Sequence, residues 1–175
     1  MPGVIKVRRA DAEQWQVVKQ TRLSALTDAP YAFGSTLARE LAFDDEMWRR
    51  RVHEGDWFLA WMRGQVVGLA AAITEEAHSA ERHLVAMWVH PDHRGSAAAT
   101  SIVETVCSWA QAQGAQAVSL WVADGNPRAR RFYERSGFSS TGERQPLPSA
   151  PDIGEERLRR LLATTAVTQG RVQQW

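Results

Sequence analysis

The sequence predicts an α/β (α+β) fold in which strands and helices share one core. Three stretches support this prediction. WFLAWMR and QVVGLAAAI have the composition of two strands joined by a tight turn at Arg63-Gly64. HLVAMWVHPDHRGSAAAT indicates a strand that enters a helix through a short turn. AVSLWV is a continuous apolar run, which is typical of a strand covered on both faces.

The N-terminal third predicts a short edge strand followed by helices. Val4 to Val7 alternate with polar neighbours, and Asp11 is the expected cap of the first helix. Apolar residues recur at helical spacing in that helix, at Trp15, Val18, Leu23 and Leu26. The helix ends at 28–30, because proline disfavours helical geometry in the residue before it. Residues 31–56 predict one or two short helices joined by loop, with Asp44 or Asp45 as the last cap.

The middle of the chain predicts the central strand and the longest helix. Gly68, inside the second hairpin strand, indicates a bulge or a close approach of another backbone. The central strand is expected from about Arg82 to Val89. A helix then runs from Gly95 to about residue 113, and Gly114 ends it.

The region after Phe138 is harder to interpret. SSTGERQPLPSAP contains three prolines and predicts the end of a strand followed by loop. ERLRRLLATTAV is compatible with either a final strand or a short helix. The length of 175 residues fits one domain over 1–175, in which the pattern of 146–175 assigns no single type of element.

Composition narrows the classes of partner. The formal net charge is +1 with both signs interspersed, which argues against the broad basic surface of proteins that bind nucleic acid or anionic membranes. The N-terminus lacks the apolar segment of a signal peptide, and no run approaches the roughly 18 apolar residues of a membrane span. We therefore expect a cytoplasmic protein. Cys107, the single cysteine, is expected to be a buried core residue, and no metal site is expected.

The turn between the central strand and the next helix is a candidate anion site. Arg94-Gly95 is followed by small residues that open the helix, and the first N–H groups of a helix together with its dipole favour an anion such as a diphosphate. A tightly packed strand-to-helix turn with no ligand has the same local pattern.

A second block, LWVADGNPRARRFYERSGF, follows about thirty residues later. The order of strand, Arg-Gly-small loop, helix, strand, Asn-x-x-Ala-x-x-x-Tyr helix and Gly-Phe strand resembles the GNAT superfamily of acyl-CoA-dependent N-acetyltransferases. The resemblance implies a mixed, mainly antiparallel sheet of six to seven strands, helices on both faces, and a splayed cleft between the fourth and fifth strands. It also implies acetyl transfer from acetyl-CoA to a primary amine by direct attack within a ternary complex. DAPYAFGSTLARE and PLPS resemble a bacterial subgroup whose substrates are mostly undefined.

The resemblance also implies which residues bind the cofactor. They are Met87, Trp88 and Val89 beside the pantetheine arm, Arg94, Gly95, Ser96, Ala97, Ala98, Ala99 and Thr100 around the diphosphate, and Asn126 and Arg131. Ala97 departs from the family pattern, which usually has glycine there. Asn126 is equally a helix cap before Pro127, and Arg131 is equally part of a solvated helix face.

Three residues are candidates for proton transfer. Tyr133 matches the tyrosine that the family uses as general acid toward the departing thiolate, although a packed aromatic residue is the alternative. His83 lies where several members carry the general base, but a histidine at a strand start is often a packing or surface residue. Glu81 is the second candidate base.

The acceptor is expected to be a small-molecule amine. Glu40, Asp44 and Asp45 could attract a cation, although helix capping also explains the two aspartates. A peptide N-terminus or lysine is the first alternative, and it would need an open groove that bulky residues such as Trp57, Trp61 and Tyr31 would obstruct. The second alternative is a degenerate, non-catalytic domain, for which Ala97 is the argument. A homodimer is expected by analogy with the superfamily alone.

Overall fold

A seven-stranded mixed sheet lies at the centre of the computed structural model, which describes residues 3–163. The strands follow the order β1-β2-β3-β4-β5-β7-β6, in which β4 and β5 are parallel and every other neighbouring pair is antiparallel. Their bounds are β1 Ile5–Arg9, β2 Asp56–Met62, β3 Gln65–Ile73, β4 Glu81–Val89, β5 Ala117–Ala123, β6 Ser139–Leu147 and β7 Ala150–Leu161. The mixed, mainly antiparallel sheet of the sequence prediction is confirmed.

Helices cover both faces of this sheet. They are α1 Trp15–Asp28, α2 Leu37–Leu41, α3 Asp45–Glu54, α4 Ala98–Ala112 and α5 Pro127–Arg135. Alternate residues of β2 divide between the two sides, since Phe58 packs in the cluster with α4 and α5 while Trp57 and Leu59 pack with Val18 of α1 and Val52 of α3. This alternation follows from the two-residue period of a strand.

Turn and cap residues act largely as the sequence predicts. Arg63 and Gly64 have φ of 50° and 79°, the left-handed pair that a two-residue hairpin turn requires. Asp44 caps α3 by accepting a hydrogen bond from the N–H of Met47 at 2.8 Å. Asp11 precedes a 3₁₀ turn over Ala12–Gln14, and the α-helix starts only at Trp15.

Gly68 marks a close approach between β3 and α4. A Cβ atom at this position would lie 2.7 Å from Cδ1 of Ile102 and 3.0 Å from the carbonyl oxygen of Trp88. Any side chain would therefore push α4 away from the sheet. The close approach that the sequence predicts is confirmed.

The C-terminal region corrects the sequence prediction. The proline-containing segment is a long hairpin of β6 and β7, joined by a turn at 148–149, and not a strand end followed by loop. Pro146 is tolerated because β6 is an edge strand, where an N–H that points away from the sheet needs no partner in the ladder. Pro151 precedes the part of β7 that pairs with β5. The segment for which strand and helix were both possible is strand up to Leu161, and its part beyond residue 163 lies outside the described residues.

Candidate active site

β4 and β5 separate along more than half of their length. Their pairing runs from Glu81 to His83 against residues 117–119, although β4 continues to Val89 and β5 to Ala123. Beyond His83 the two parallel strands diverge, so main-chain groups that a neighbouring strand would otherwise occupy border an opening. This opening is the splayed cleft expected between the fourth and fifth strands.

A β-bulge shapes β4 where it borders the cleft. The register of β3 against β4 shifts between Leu69 and Ala71, so that Ala86 and Met87 together take the place of one residue. Ala86 has φ of 55°, a left-handed conformation that costs a non-glycine residue roughly 1–2 kcal/mol. The bulge redirects the chain at Met87, which lines the cavities on both sides of the cleft.

The first cavity, of about 800 Å³, lies beside the turn that joins β4 to α4. Nine of the twelve residues expected to bind acyl-CoA line it, namely Met87, Trp88, Val89, Arg94, Gly95, Ser96, Ala99, Thr100 and Asn126. The charged side chains in its lining are Arg94, Arg128, Arg135, Arg160 and Glu104, in addition to His93. This excess of positive charge suits a ligand that carries phosphate groups.

The start of α4 offers main-chain donors to such a ligand. The N–H groups of Gly95, Ala97, Ala99 and Thr100 have no acceptor within the described part of the chain. Gly95, with φ of 78°, makes the left-handed turn that directs the chain into this 15-residue helix. Free N–H groups at the positive end of a helix dipole fit the diphosphate of coenzyme A.

The other three expected cofactor residues do not line this cavity. Ala97 has φ of −72° and ψ of 0°, which any L-amino acid adopts, so replacing the usual glycine strains nothing. Ala98 is fully buried in the core beneath the loop. Arg131 is absent from the lining, whereas Arg128 and Arg135 of the same helix belong to it.

Arg128 and Arg135 are cofactor candidates that the sequence analysis missed. Neither makes an ion pair with another described residue. The sequence does contain a signal for them. One helix face has the spacing of Arg128, Phe132, Arg135 and Ser136, and all four line the cavity.

A second cavity, of about 850 Å³, opens on the other side of the cleft, between the sheet and α1 to α3. Its lining includes five carboxylates and three arginines, which are Glu40, Glu54, Asp56, Glu75, Glu155, Arg22, Arg39 and Arg51. Glu40 is buried and bound by Arg22 at 2.9 Å and Arg51 at 3.2 Å. Asp44 and Asp45, expected as possible attractors of a cation, are absent from this lining.

Tyr133 lies where the two cavities meet, because it lines both. Its ring packs edge-on against Phe132 and Phe138, with centroids 5.2 and 5.7 Å away. Burial raises the pKa of its phenol above the ordinary value, so the hydroxyl keeps its proton at neutral pH. No described residue hydrogen-bonds to that hydroxyl, which therefore remains able to donate to a ligand.

His83 lines the second cavity as a buried side chain. Its Nδ1 lies 3.0 Å from Oγ of Ser119 and 3.6 Å from a carboxylate oxygen of Glu75. Burial, followed by the positive charge of Arg157, lowers the pKa of His83 to about 4, so the ring is neutral at pH 7. It can accept a proton in this form, but it is a weak base.

Glu81, the second candidate base, is separated from both cavities. Its carboxylate is buried and is bound by Arg157 at 2.6 Å and Arg159 at 2.7 Å. These two arginines come from β7, so Glu81 joins β4 to the C-terminal hairpin across β5. The contacts give Glu81 a structural position in the sheet.

Three further observations concern the cysteine, metal ligands and membrane spans. Burial raises the pKa of the Cys107 thiol to about 11, and Cys107 packs in the core, so it is no nucleophile at neutral pH. Within residues 3–163, no three histidine, cysteine or acidic side chains cluster as metal ligands would. None of the helices in that range has the length and apolarity needed to cross a bilayer.

Solved acetyltransferases have the same fold. An acetyltransferase of the GNAT family from Streptococcus pneumoniae superposes with a TM-score of 0.74 at 17% identity, covering 91% of this chain and 100% of that one. Spermidine N-acetyltransferase from Vibrio cholerae, in complex with CoA and spermine, has a TM-score of 0.70 at 16% identity, covering 90% and 95%. At these identities the likeness concerns the fold alone.

Sequence comparison identifies the family. An uncharacterized N-acetyltransferase of Methanocaldococcus jannaschii is 30% identical over 95 residues, 52% of this chain and 42% of that protein. One of Mycobacterium tuberculosis is 35% identical over 81 residues, 46% and 51% of the two chains. The matches thus span about half the length of these curated relatives. Because the model of the acetyltransferase (GNAT) family matches residues 20–138, this chain belongs to the GNAT family.

Proposed function

We propose that the protein transfers an acetyl group from acetyl-CoA to a primary amine of a small molecule by direct attack within a ternary complex. The observation that carries this proposal is the meeting of two cavities of unlike charge at Tyr133. A phosphate-bearing donor suits the first, and a cationic acceptor suits the second, where carboxylates outnumber arginines. Holding two reactants in adjoining cavities supplies much of the rate, and no covalent enzyme intermediate is needed.

Acetyl-CoA would bind with its diphosphate at the free N–H groups before and within the first turn of α4. Its pantetheine arm would then follow Met87, Trp88 and Val89 into the gap between β4 and β5, which brings the thioester toward Tyr133. A structure of a Salmonella typhimurium acetyltransferase with acetyl-CoA, at a TM-score of 0.70 and 15% identity, supports this choice of donor.

Tyr133 would protonate the leaving thiolate. A phenol that keeps its proton at neutral pH and has no partner in the described chain is suited to this role. His83, predicted as the base, lines the second cavity in its neutral form, although a pKa of about 4 makes it a weak base. Trp57 and Trp121 line the second cavity, and their bulk favours a small acceptor over a peptide. Spermine in the Vibrio cholerae relative supports an amine.

Calorimetric titration with acetyl-CoA is the first test, followed by thiol release with panels of amines and peptides. We expect micromolar binding by the unaltered chain and by Ala97→Gly alike, and turnover with amines. Turnover with peptides alone would favour a protein acetyltransferase. Binding by Ala97→Gly alone would indicate a degenerate domain. A homodimer remains a prediction, which analytical ultracentrifugation would test.

A further inference from the structure

We infer that Glu155, on β7, receives the ammonium group of the acceptor amine and takes its proton. The inference rests on the proposed function and deepens it, since it names the residue that performs the first proton transfer. The acceptor class that follows is a primary amine that reaches the site in its charged form.

Glu155 differs from the other buried carboxylates of the described chain. Glu40, Glu81 and Glu155 are the three with less than a tenth of their surface exposed. Glu40 is bound by two arginines, and so is Glu81. Glu155 has no cation within 4.0 Å among residues 3–163, and its protein partner is the neutral side chain of Gln145. An uncompensated buried carboxylate is unfavourable for folding and is suited to bind a cation.

The position of Glu155 is set by three strands. It pairs with Ala123 of β5 on one side and with Gln145 of β6 on the other. Oε1 accepts a hydrogen bond from Nε2 of Gln145 at 2.7 Å, which orients the carboxylate. Oε2 has no hydrogen-bond partner in the described chain and is not sealed from solvent. Glu155 lines the same cavity as Tyr133, so an acceptor bound there can meet both groups.

Most of the charged groups around Glu155 form ion pairs with one another. On the neighbouring part of the hairpin, Arg157 binds Glu81 and Glu143, and Arg144 binds Asp124. Lining the same cavity are His83 and Glu75 from the sheet side, Tyr133 from α5, and Arg22, Arg39, Arg51, Glu40, Glu54 and Asp56 from the helices and β2. Of the arginines in that lining, Arg39 alone lacks an ion pair with a described residue.

Burial raises the pKa of Glu155, and the hydrogen bond from Gln145 opposes that rise. A raised pKa makes a carboxylate a better proton acceptor near neutral pH. His83, the base that the sequence predicts, has the opposite change, since its pKa falls to about 4. Of the two groups in the cavity, Glu155 therefore has the environment of a base.

The proton balance is simple. The ammonium group R–NH₃⁺ gives one proton to the Glu155 carboxylate and becomes R–NH₂. Its nitrogen attacks the thioester carbonyl, the C–N bond forms, and the C–S bond breaks. The thiolate takes the proton of the Tyr133 hydroxyl, and the second proton of the nitrogen then restores that hydroxyl. Glu155 returns its proton to water through the open cavity.

Glu155→Gln tests the inference, with Glu143→Gln as the matched control, because Glu143 lies on the adjacent strand and outside the cavity lining. Thiol release is followed against pH for an amine that the unaltered protein acetylates. We expect kcat/KM of Glu155→Gln to fall about 100-fold or more at pH 7. It should then rise tenfold per pH unit below the pKa of the amine, because the variant needs the free base. Acetyl-CoA affinity should not change, and Glu143→Gln should stay within about threefold of the unaltered protein.

Calorimetric binding of spermine to the CoA-saturated protein is the second readout, and it needs no turnover. Loss of spermine affinity by tenfold or more in Glu155→Gln supports the inference. Equal affinity, or no binding by either protein, overturns it, as does a kcat/KM and pH profile like that of the unaltered protein. Absence of thiol release with every amine would contradict the proposed function instead, and the spermine titration would still decide the role of Glu155.

Discussion

Asp28 at the C-terminal end of α1 forms an ion pair with Arg94 in the turn before α4. The same carboxylate accepts a hydrogen bond from the indole N–H of Trp88 at 2.9 Å, the main cause that lowers the pKa of Asp28. Arg94 also donates to the carbonyl of Val89 at 3.1 Å. The arginine expected to bind phosphate is therefore already held by the protein, and it connects α1 to the edge of the first cavity.

We predict that Arg94→Gln lowers stability as well as affinity for acetyl-CoA. The substitution leaves the partly exposed Asp28 carboxylate without its cation, at a cost of about 1 kcal/mol after screening by solvent. Urea unfolding, with and without acetyl-CoA, measures both effects. If only the affinity changes, the ion pair with Asp28 contributes nothing to the fold.

We predict that Arg128→Gln and Arg135→Gln lower the affinity for acetyl-CoA and leave stability unchanged. Both side chains line the first cavity and make no ion pair with a described residue, so their removal should not affect unfolding. Each should weaken acetyl-CoA binding by about 3- to 10-fold at low salt, and less at high salt, because a phosphate contact is screened by ions. Calorimetry at two salt concentrations measures this, with Arg131→Gln, outside the lining, as the control. A loss in the control equal to that in the variants would contradict the assignment.

Tyr133→Phe should remove activity without changing the fold. Its hydroxyl has no partner in the described chain, so unfolding and acetyl-CoA binding should be unaffected, while kcat should fall by roughly 100-fold or more. Because burial raises the pKa of Tyr133, the unaltered enzyme should not lose activity between pH 7 and pH 9 through ionisation of this group. Phe132→Leu at the adjacent position controls for loss of packing. Activity retained in Tyr133→Phe would assign protonation of the thiolate to water.

Much of the fold could be predicted because its signals are local. The turn at 63–64 and the glycine of the turn before α4 require left-handed backbone that sequence reveals directly. The C-terminal hairpin could not, because an edge strand accepts prolines that usually indicate loop. Glu155 was missed because it lies between the segment predicted as loop and the segment left open between strand and helix, so no sheet face could be assigned to it. The contact of His83 with Ser119 depends on the pairing of β4 with β5, which no local pattern specifies.

His83 should make the protein sensitive to mild acid. Its pKa is about 4 when folded and about 6.5 when unfolded, so the unfolded chain binds more protons between those values, and stability rises with pH across that window. Acidification from pH 7 to pH 5 should therefore cost about 2 kcal/mol from this residue. Denaturant unfolding at the two pH values measures the loss, and His83→Gln should reduce it. An equal loss in the variant would show that other groups cause the acid sensitivity.

Glu155 should affect stability with the opposite sign. Because its pKa is raised in the folded state, the folded chain binds more protons than the unfolded chain between the two pKa values, and stability falls as pH rises through them. The ionised carboxylate is then buried without a cation, so Glu155→Gln should be at least as stable as the unaltered protein at pH 7. Its advantage should disappear as the pH falls toward 4. Thermal unfolding of both proteins at pH 4.5 and pH 7 measures this.

Glu81→Gln is the contrasting variant, since Arg157 and Arg159 would lose their partner, and it should be destabilised by about 3 kcal/mol or more. If Glu155→Gln is destabilised to the same extent, this carboxylate stabilises the fold and is not a binding group for the acceptor.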